Sequence, residues 1–259
     1  MVLPHDEAGS GPAVLLLHAG IADRRMWREQ IEALAGAGYR ALALDLPGFG
    51  EAPLEEGPQA PWTDVLETMD ALRIERAALV GNSYGGAVAL RVALLAPARV
   101  WALALVSAPP PPQIEPSAQL KAAWDAESAA LERGDVEAAV EAVLEAWLLP
   151  GAPAALRDRV AAMTRLAFSV ALAAPEQTEA PDPLEDDPGG LDRIAAPALL
   201  IAGGHDMPDF KDAAVQLAAA LAGARQELIE EAGHLAPLEA PQAFTGLLLD
   251  FLAAHAPDN

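Results

Sequence analysis

The chain contains no cysteine in its 259 residues, so neither a disulfide framework nor a thiolate metal site can form. That absence suits a reducing compartment and sets the expectation of a cytoplasmic protein. Basic residues are also scarce: Lys+Arg number 16 against 38 Asp+Glu, a formal charge of -22. A surface of that sign repels phosphate backbones and anionic lipid headgroups, which argues against nucleic acid and against a membrane as partners. By itself the acidity implies no chemistry, since excess carboxylate usually forms a solvated surface. Long apolar runs are missing too. Val100 to Ala108 follows Arg99 and runs into four prolines, well short of the roughly 20 residues a membrane helix requires. The first residues, Met1 to Gly11, carry Asp6 and Glu7 where a signal peptide would be basic and then apolar. Oligomeric state has no signature in the sequence.

What is present is a hydrophobic pattern, in a chain that is 53% hydrophobic and long enough to bury one full core with an insertion. Short Val/Leu/Ile-rich runs alternate with segments of helical period, which predicts a doubly wound α/β fold with a mostly parallel sheet covered by helices on both faces. The strands expected are Ala13 to His18, Arg40 to Asp45, Ala77 to Gly81, Val100 to Ser107, Ala198 to Gly203 and Gln226 to Ile229. Helices are expected at Arg25 to Ala35, Thr63 to Leu72, Gly85 to Leu95, Lys211 to Leu221 and Pro241 to Ala254. From Gln113 to Thr178 no strand is evident, and Ser117 to Arg133, Val136 to Leu149 and Ala154 to Ala174 read as helices of an insertion. Pro175 to Gly190 reads as an acidic, solvated connector. The expected organisation is core at 1–112, helical cap and connector at 113–190, and core again at 191–259.

The chemistry starts at Gly81-Asn82-Ser83-Tyr84-Gly85-Gly86. A serine between a buried strand and a helix sits on a sharp turn, and flanking glycines permit the close backbone approach such a turn needs. Serine is a weak nucleophile until a base accepts its proton, so a histidine and an orienting carboxylate are required elsewhere. Of five histidines, His5 lies in a polar N-terminal stub, His255 in the tail, His18 at the end of the first strong strand and His205 beside a better acid. That leaves His234, in the loop after the last strand, as general base; loops at the carboxyl ends of such strands are where reacting groups collect. For the acid, Asp206 follows the strand Ala198 to Gly203 and leads on position, with Asp209 and Asp212 as nearby rivals.

The order Ser83, Asp206, His234 resembles that of the α/β-hydrolase superfamily. Further matches lie at Leu15-Leu16-Leu17-His18, at Asp45-Leu46-Pro47-Gly48-Phe49-Gly50, and at Gly233-His234 followed by Pro237-Leu238-Glu239-Ala240-Pro241. The resemblance covers nearly the whole chain and makes the insertion a cap roofing the site. It implies an oxyanion hole built from the Tyr84 amide and one amide after His18, with Gly20 the position-matched donor and Ile21 the alternative; Ala19 stands where relatives usually have glycine. It also implies a sheet shortened at its start to about seven strands, because only a dozen residues precede Ala13. Serine rather than aspartate at the elbow argues against the haloalkane dehalogenase and epoxide hydrolase branches. The activity so implied is a cofactor-free, metal-free serine hydrolase acting on a small-molecule ester or lactone. Hydrolysis of enol-lactones, which the stretch Arg25-Met26-Trp27 resembles, or of diketone carbon-carbon bonds is the alternative, and a non-catalytic ligand receptor is the alternative of another class. Trp124, Trp147, Met163 and Phe168 are candidates for lining the substrate pocket, although any one of them could equally pack cap helices together.

Overall fold

The computed structural model describes residues 1–110 and 114–257. The chain opens with β1 (His5–Ala8), β2 (Ala13–Leu17), a 3-10 turn, α1 (Arg28–Gly36), β3 (Arg40–Leu44), β4 (Gly57–Gln59), α2 (Pro61–Ala71), β5 (Ala77–Asn82), α3 (Tyr84–Leu95) and β6 (Val100–Val106). Next come α4 (Ala118–Glu132), α5 (Val136–Trp147), α6 (Ala154–Ala173), β7 (Gln177–Glu179) and α7 (Pro183–Asp186). The chain then closes with β8 (Ala198–Gly203), α8 (Pro208–Ala220), β9 (Arg225–Ile229), α9 (Ala236–Glu239) and α10 (Pro241–His255).

Seven strands form one sheet in the order β1-β3-β2-β5-β6-β8-β9, parallel throughout except for β1, which runs antiparallel to β3. All five residues of β2 are buried. Val14 and Leu16 face Trp27, Ile31, Phe244 and Leu248, whereas Leu15 and Leu17 face Val65, Met69, Val88 and Leu217. Side chains alternate along a strand, so a sheet covered on both faces must be apolar at every position, and this is why its strands read as continuous Val/Leu/Ile runs. Each Leu so buried contributes about 1.5–3 kcal/mol.

Six of the seven strands are those expected from the sequence; five are apolar runs, and the edge strand β9, Arg-Gln-Glu-Leu-Ile, is mostly exposed. The seventh, β1, lies in the stretch that reads as a polar stub. It is an edge strand held by its backbone pairing to β3, its sequence His-Asp-Glu-Ala has no apolar run, and its half-buried His5 is correspondingly not a loose surface residue. The acidic connector is likewise more ordered than its composition suggests. Within it β7 pairs in parallel with β4, and Asp182 both accepts from the Leu184 amide to cap α7 and pairs with Arg91, whose Nε donates at 2.9 Å. Strands of three residues are too short to carry a period. The expected core-to-cap boundary at 112/113 lies outside the described residues.

The insertion between β6 and β8 forms the helices α4 to α6, each within two residues of its expected limits. Ser117 and Asp135 cap α4 and α5 by accepting the amides of Leu120 and Ala138. Val140 and Leu144 of α5 and Val160 and Met163 of α6 join the apolar cluster that also holds Trp27 and Phe244, so cap and sheet share one core. Among the described residues, no helix is long and apolar enough to cross a membrane.

His18, fully buried at the end of β2, ties that strand to the end of β3: its Nδ1–H donates to Ala19 O at 2.8 Å and its Nε2 accepts from the Leu46 amide at 2.9 Å. Burial lowers its pKa below the usual 6.5, outweighing the pull of Ala19 O, Asp45 and Asp23. The unfolded chain therefore gains a proton below 6.5 that the folded chain does not, so this stability is full above 6.5 and erodes as pH falls. We expect urea unfolding measured from pH 7 down to pH 5 to show a loss of up to ~1.4 kcal/mol per pH unit from this group. The variant His18→Gln is expected to show a flatter pH slope whatever its baseline; equal slopes would exclude the effect.

Candidate active site

Strand β5 ends at Asn82 and α3 begins at Tyr84, leaving Ser83 as the whole turn, with φ 52 and ψ -116. A side-chain-bearing residue in that conformation costs about 1–3 kcal/mol and persists only where its surroundings hold it. Here the Ser83 amide donates to Val106 O at 2.8 Å and the Gly85 amide to His18 O at 3.0 Å. The turn is also sterically closed to other residues: a Cβ on Gly81 would lie 2.3 Å from Gly85 O, and one on Gly85 would lie 2.2 Å from Leu17 O. Half-buried Ser83 is thereby lifted to the wall of a cavity of about 360 Å³, which it shares with Gly20, Tyr84, Trp147, Phe210 and His234.

His234 and Asp206 come from the loops after β9 and β8. These loops cross tightly: the Gly204 amide donates to Ile229 O and the His205 amide to Ala232 O, each at 2.9 Å, and a Cβ on Gly203 would sit 2.1 Å from Gly233 O. The crossing brings His234 Nδ1 within 3.0 Å of Asp206 Oδ1 and 3.2 Å of Oδ2, with both side chains buried. Oδ1 of Asp206 accepts a second hydrogen bond, from the Met207 amide at 2.8 Å. The imidazole packs against both Trp147 of the cap and Phe210 of α8, with ring centroids 4.5 and 4.4 Å away, and these two rings also touch each other.

The rival acids are placed elsewhere. Asp209 accepts from the Ser117 amide at 2.7 Å and from the Ser117 hydroxyl at 2.6 Å, pinning α4 to α8, and Asp212 is exposed on α8. His205 and His255 are exposed as well. Tyr84, as the first residue of α3, has an amide with no intrahelical acceptor, at the positive end of the helix. Gly20 lies against it, since a Cβ there would be 3.4 Å from Tyr84 Cβ. Both Gly20 and Ile21 line the cavity of Ser83, and the loop that carries them is held from the cap, where the Thr164 hydroxyl donates to Ile21 O at 2.9 Å. Burial pushes the Tyr84 phenol up to about 12, so it stays protonated at neutral pH.

Of the candidate pocket residues, Trp124 and Trp147 line the cavity of Ser83. Phe168 lines an adjoining cavity that also includes Gly20 and Tyr84. Met163 does not join them: it is buried in the shared core and borders a separate cavity beside Arg25 and Arg28. Five residues along a helix turn the side chain by about 140°, so Met163 and Phe168 of α6 cannot share a face.

Three residues of this region have roles that the sequence reading did not assign. Phe210 stands one helical turn beyond Asp206. The Asn82 side chain donates to Val106 O and to His234 O, both at 3.1 Å, linking the turn of Ser83 to the loop of His234. Glu239 accepts the amides of Gly233 at 2.9 Å and Leu235 at 3.2 Å, on either side of His234, and that of Leu149 at the end of the cap helix α5 at 2.9 Å. Burial raises its pKa, with the three amides opposing the rise. Its only signal in the sequence is its place five residues after the histidine, within the Pro-Leu-Glu-Ala-Pro segment.

A sequence profile of the alpha/beta hydrolase fold matches residues 12–241. The chain belongs to that family. It is 32% identical over 250 residues to RutD of Variovorax paradoxus (strain S110), covering 94% of this chain and 92% of that one. An epoxide hydrolase of Caballeronia sordidicola is 40% identical over 108 residues, which is 40% of this chain and 33% of that one. The chain spans at most about two fifths of the length of the first curated relatives it matches. Among solved structures it superposes on the enol-lactonase of Burkholderia xenovorans LB400 with a TM-score of 0.77 and 28% identity, over 97% of this chain and 96% of that one. The α/β-hydrolase core is therefore established for the chain through its family.

Among the described residues Glu239 is the one acceptor for three amides. We expect Glu239→Ala to lower stability to urea by about 2–4 kcal/mol, because hydrogen bonds to a charged group are lost and buried donors are left without partners. Glu239→Gln, which keeps one carbonyl acceptor, should lose about half as much. Equal stability of Glu239→Ala and the parent chain would refute the clamp.

Proposed function

We propose that this hydrolase cleaves carboxylic esters of small to medium, mainly apolar acyl groups through an acyl-enzyme on Ser83. The observation that carries the reading is the 3.0 Å contact of His234 Nδ1 with Asp206 on the wall of the cavity that also holds Ser83. With Nδ1–H donating to the carboxylate, Nε2 is the nitrogen left to accept the serine proton. Ser83 Oγ attacks the ester carbonyl, and the amides of Tyr84 and Gly20 hold the oxyanion. The imidazolium, stabilised by Asp206, then protonates the departing alcohol, and water repeats the sequence on the acyl-enzyme. The residues invoked use no cofactor and no metal. A reducing, cytoplasmic setting is the one that a chain without cysteine suits.

Lactone hydrolysis is a second reading within the same chemistry, favoured by the likeness to the Burkholderia enol-lactonase over nearly all of both chains. Epoxide opening is not carried over from the shorter matches. A serine that opened an epoxide would be left as an ether, which has no acyl carbon for water to attack, so the enzyme would stop after one turn.

Replacing Ser83 with Ala should lower kcat on short p-nitrophenyl esters by at least ~10³-fold, and Asp206→Asn should lower kcat by ~10²–10⁴-fold with a smaller change in KM. A fluorophosphonate should label Ser83 in the parent chain, as a non-catalytic receptor would not. Unchanged turnover in Ser83→Ala would overturn the assignment.

A further inference from the structure

The cavity of Ser83 and the adjoining one that includes Phe168 are each about 360 Å³ and share three lining residues, Gly20, Tyr84 and Glu127. Among the described residues Glu127 is the only acidic residue of either lining, and neither lining includes a lysine or an arginine. It projects from α4 of the cap one turn after Trp124, on the same helical face. Its neighbours in α4, Asp125 and Glu132, are exposed, whereas Glu127 is half-buried. Among the described residues its carboxylate has no hydrogen-bond or ion-pair partner. Burial raises its pKa with no opposing contribution. Most carboxylates of this chain face water at no cost; this one stands over the site, partly desolvated and unpaired.

We propose that Glu127 is a recognition residue for cations: the esters this site prefers carry an ammonium-type group away from the scissile carbonyl, and esters bearing a carboxylate there are disfavoured. The proposal rests on the ester-hydrolase reading above and adds the substrate class to it. A guest cation would supply the partner that the carboxylate lacks, which favours the charged form of both. Aromatic side chains border the same space: Trp124 and Tyr84 on the side of Ser83, Tyr84 and Phe168 on the other. Ring faces attract cations, most strongly where water is partly excluded. The formal charge of -22 works in the same direction by concentrating cations near the surface and repelling anions. An anionic guest would meet Glu127 with no lysine or arginine in either lining to compensate. Selectivity then arises as much from rejecting the anion as from binding the cation.

The test uses p-nitrophenyl alkanoates of graded chain length ending in trimethylammonium, in its neutral isostere tert-butyl, or in carboxylate. Their Kd values are measured calorimetrically on Ser83→Ala, which holds the ester intact. At the best-fitting length the cationic ester should bind about tenfold more tightly than its neutral isostere, with the carboxylate weakest. Adding Glu127→Gln should bring the cationic and neutral esters to equal affinity, and Glu127→Asp should retain part of the preference. Retained binding of the neutral ester shows that the variant is folded. Equal affinities on Ser83→Ala, a preference that survives Glu127→Gln, or no binding of any ester would each overturn the proposal. Failure of the ester-hydrolase reading would appear separately, as absence of turnover of the neutral ester by the parent chain.

Discussion

The turn at Ser83 is the constraint to which its surroundings conform. A residue with a side chain held at φ 52 between β5 and α3 requires backbones to approach so closely that Gly81 and Gly85 can be nothing larger. The end of β2 must therefore lie directly against the start of α3, and the Gly85 amide bonds to His18 O as a result. His18 in turn joins β2 to β3 through Leu46, and the loop after it places Gly20 against Tyr84. The strain at one residue is thus offset by contacts that also assemble the other groups around it, so rigidity and site geometry have a common source.

The cap belongs to this arrangement and is more than a cover. Asp209 grips the N-terminus of α4, Thr164 of α6 holds the loop of Ile21, and Leu149 at the end of α5 shares Glu239 with the two amides that flank His234. Trp147 from the same helix packs on the imidazole. The loops that carry Gly20 and His234, and the helix that follows Asp206, are therefore fastened to cap helices, so a change in the cap is felt at the site without touching Ser83.

Much of this was legible in the chain itself. Apolar runs bounded by Gly, Pro and Asp mark five of the seven strands, because burial on both faces leaves no polar positions to blur the signal; the edge strand β9, Arg-Gln-Glu-Leu-Ile, is mostly exposed. Three groups far apart in sequence, Ser83, Asp206 and His234, could be picked out because each follows a strand, and in a parallel sheet all strand ends of one sense lie on one edge. β1 was not legible, since an edge strand held through its backbone needs no apolar side chains. Met163 was misplaced because composition shows that a helix is apolar and does not show which face meets the cavity.

By itself, then, the sequence determined the fold class and marked the helical insertion, the turn at Ser83 and the candidate histidine. Periodicity and strand-end position are local properties, written in consecutive residues. Only the tertiary structure decided among the acids: Asp206, in the loop after β8, and Asp209, three residues on in the first turn of α8, point to different partners, one to His234 and the other to Ser117. It likewise decided that Glu239 clamps the histidine loop and that Glu127 stands unpaired over the cavity. Most of these outcomes depend on contacts between residues some 30 to 150 positions apart, whose geometry exists only once the loops after β8 and β9 have crossed and the cap has docked.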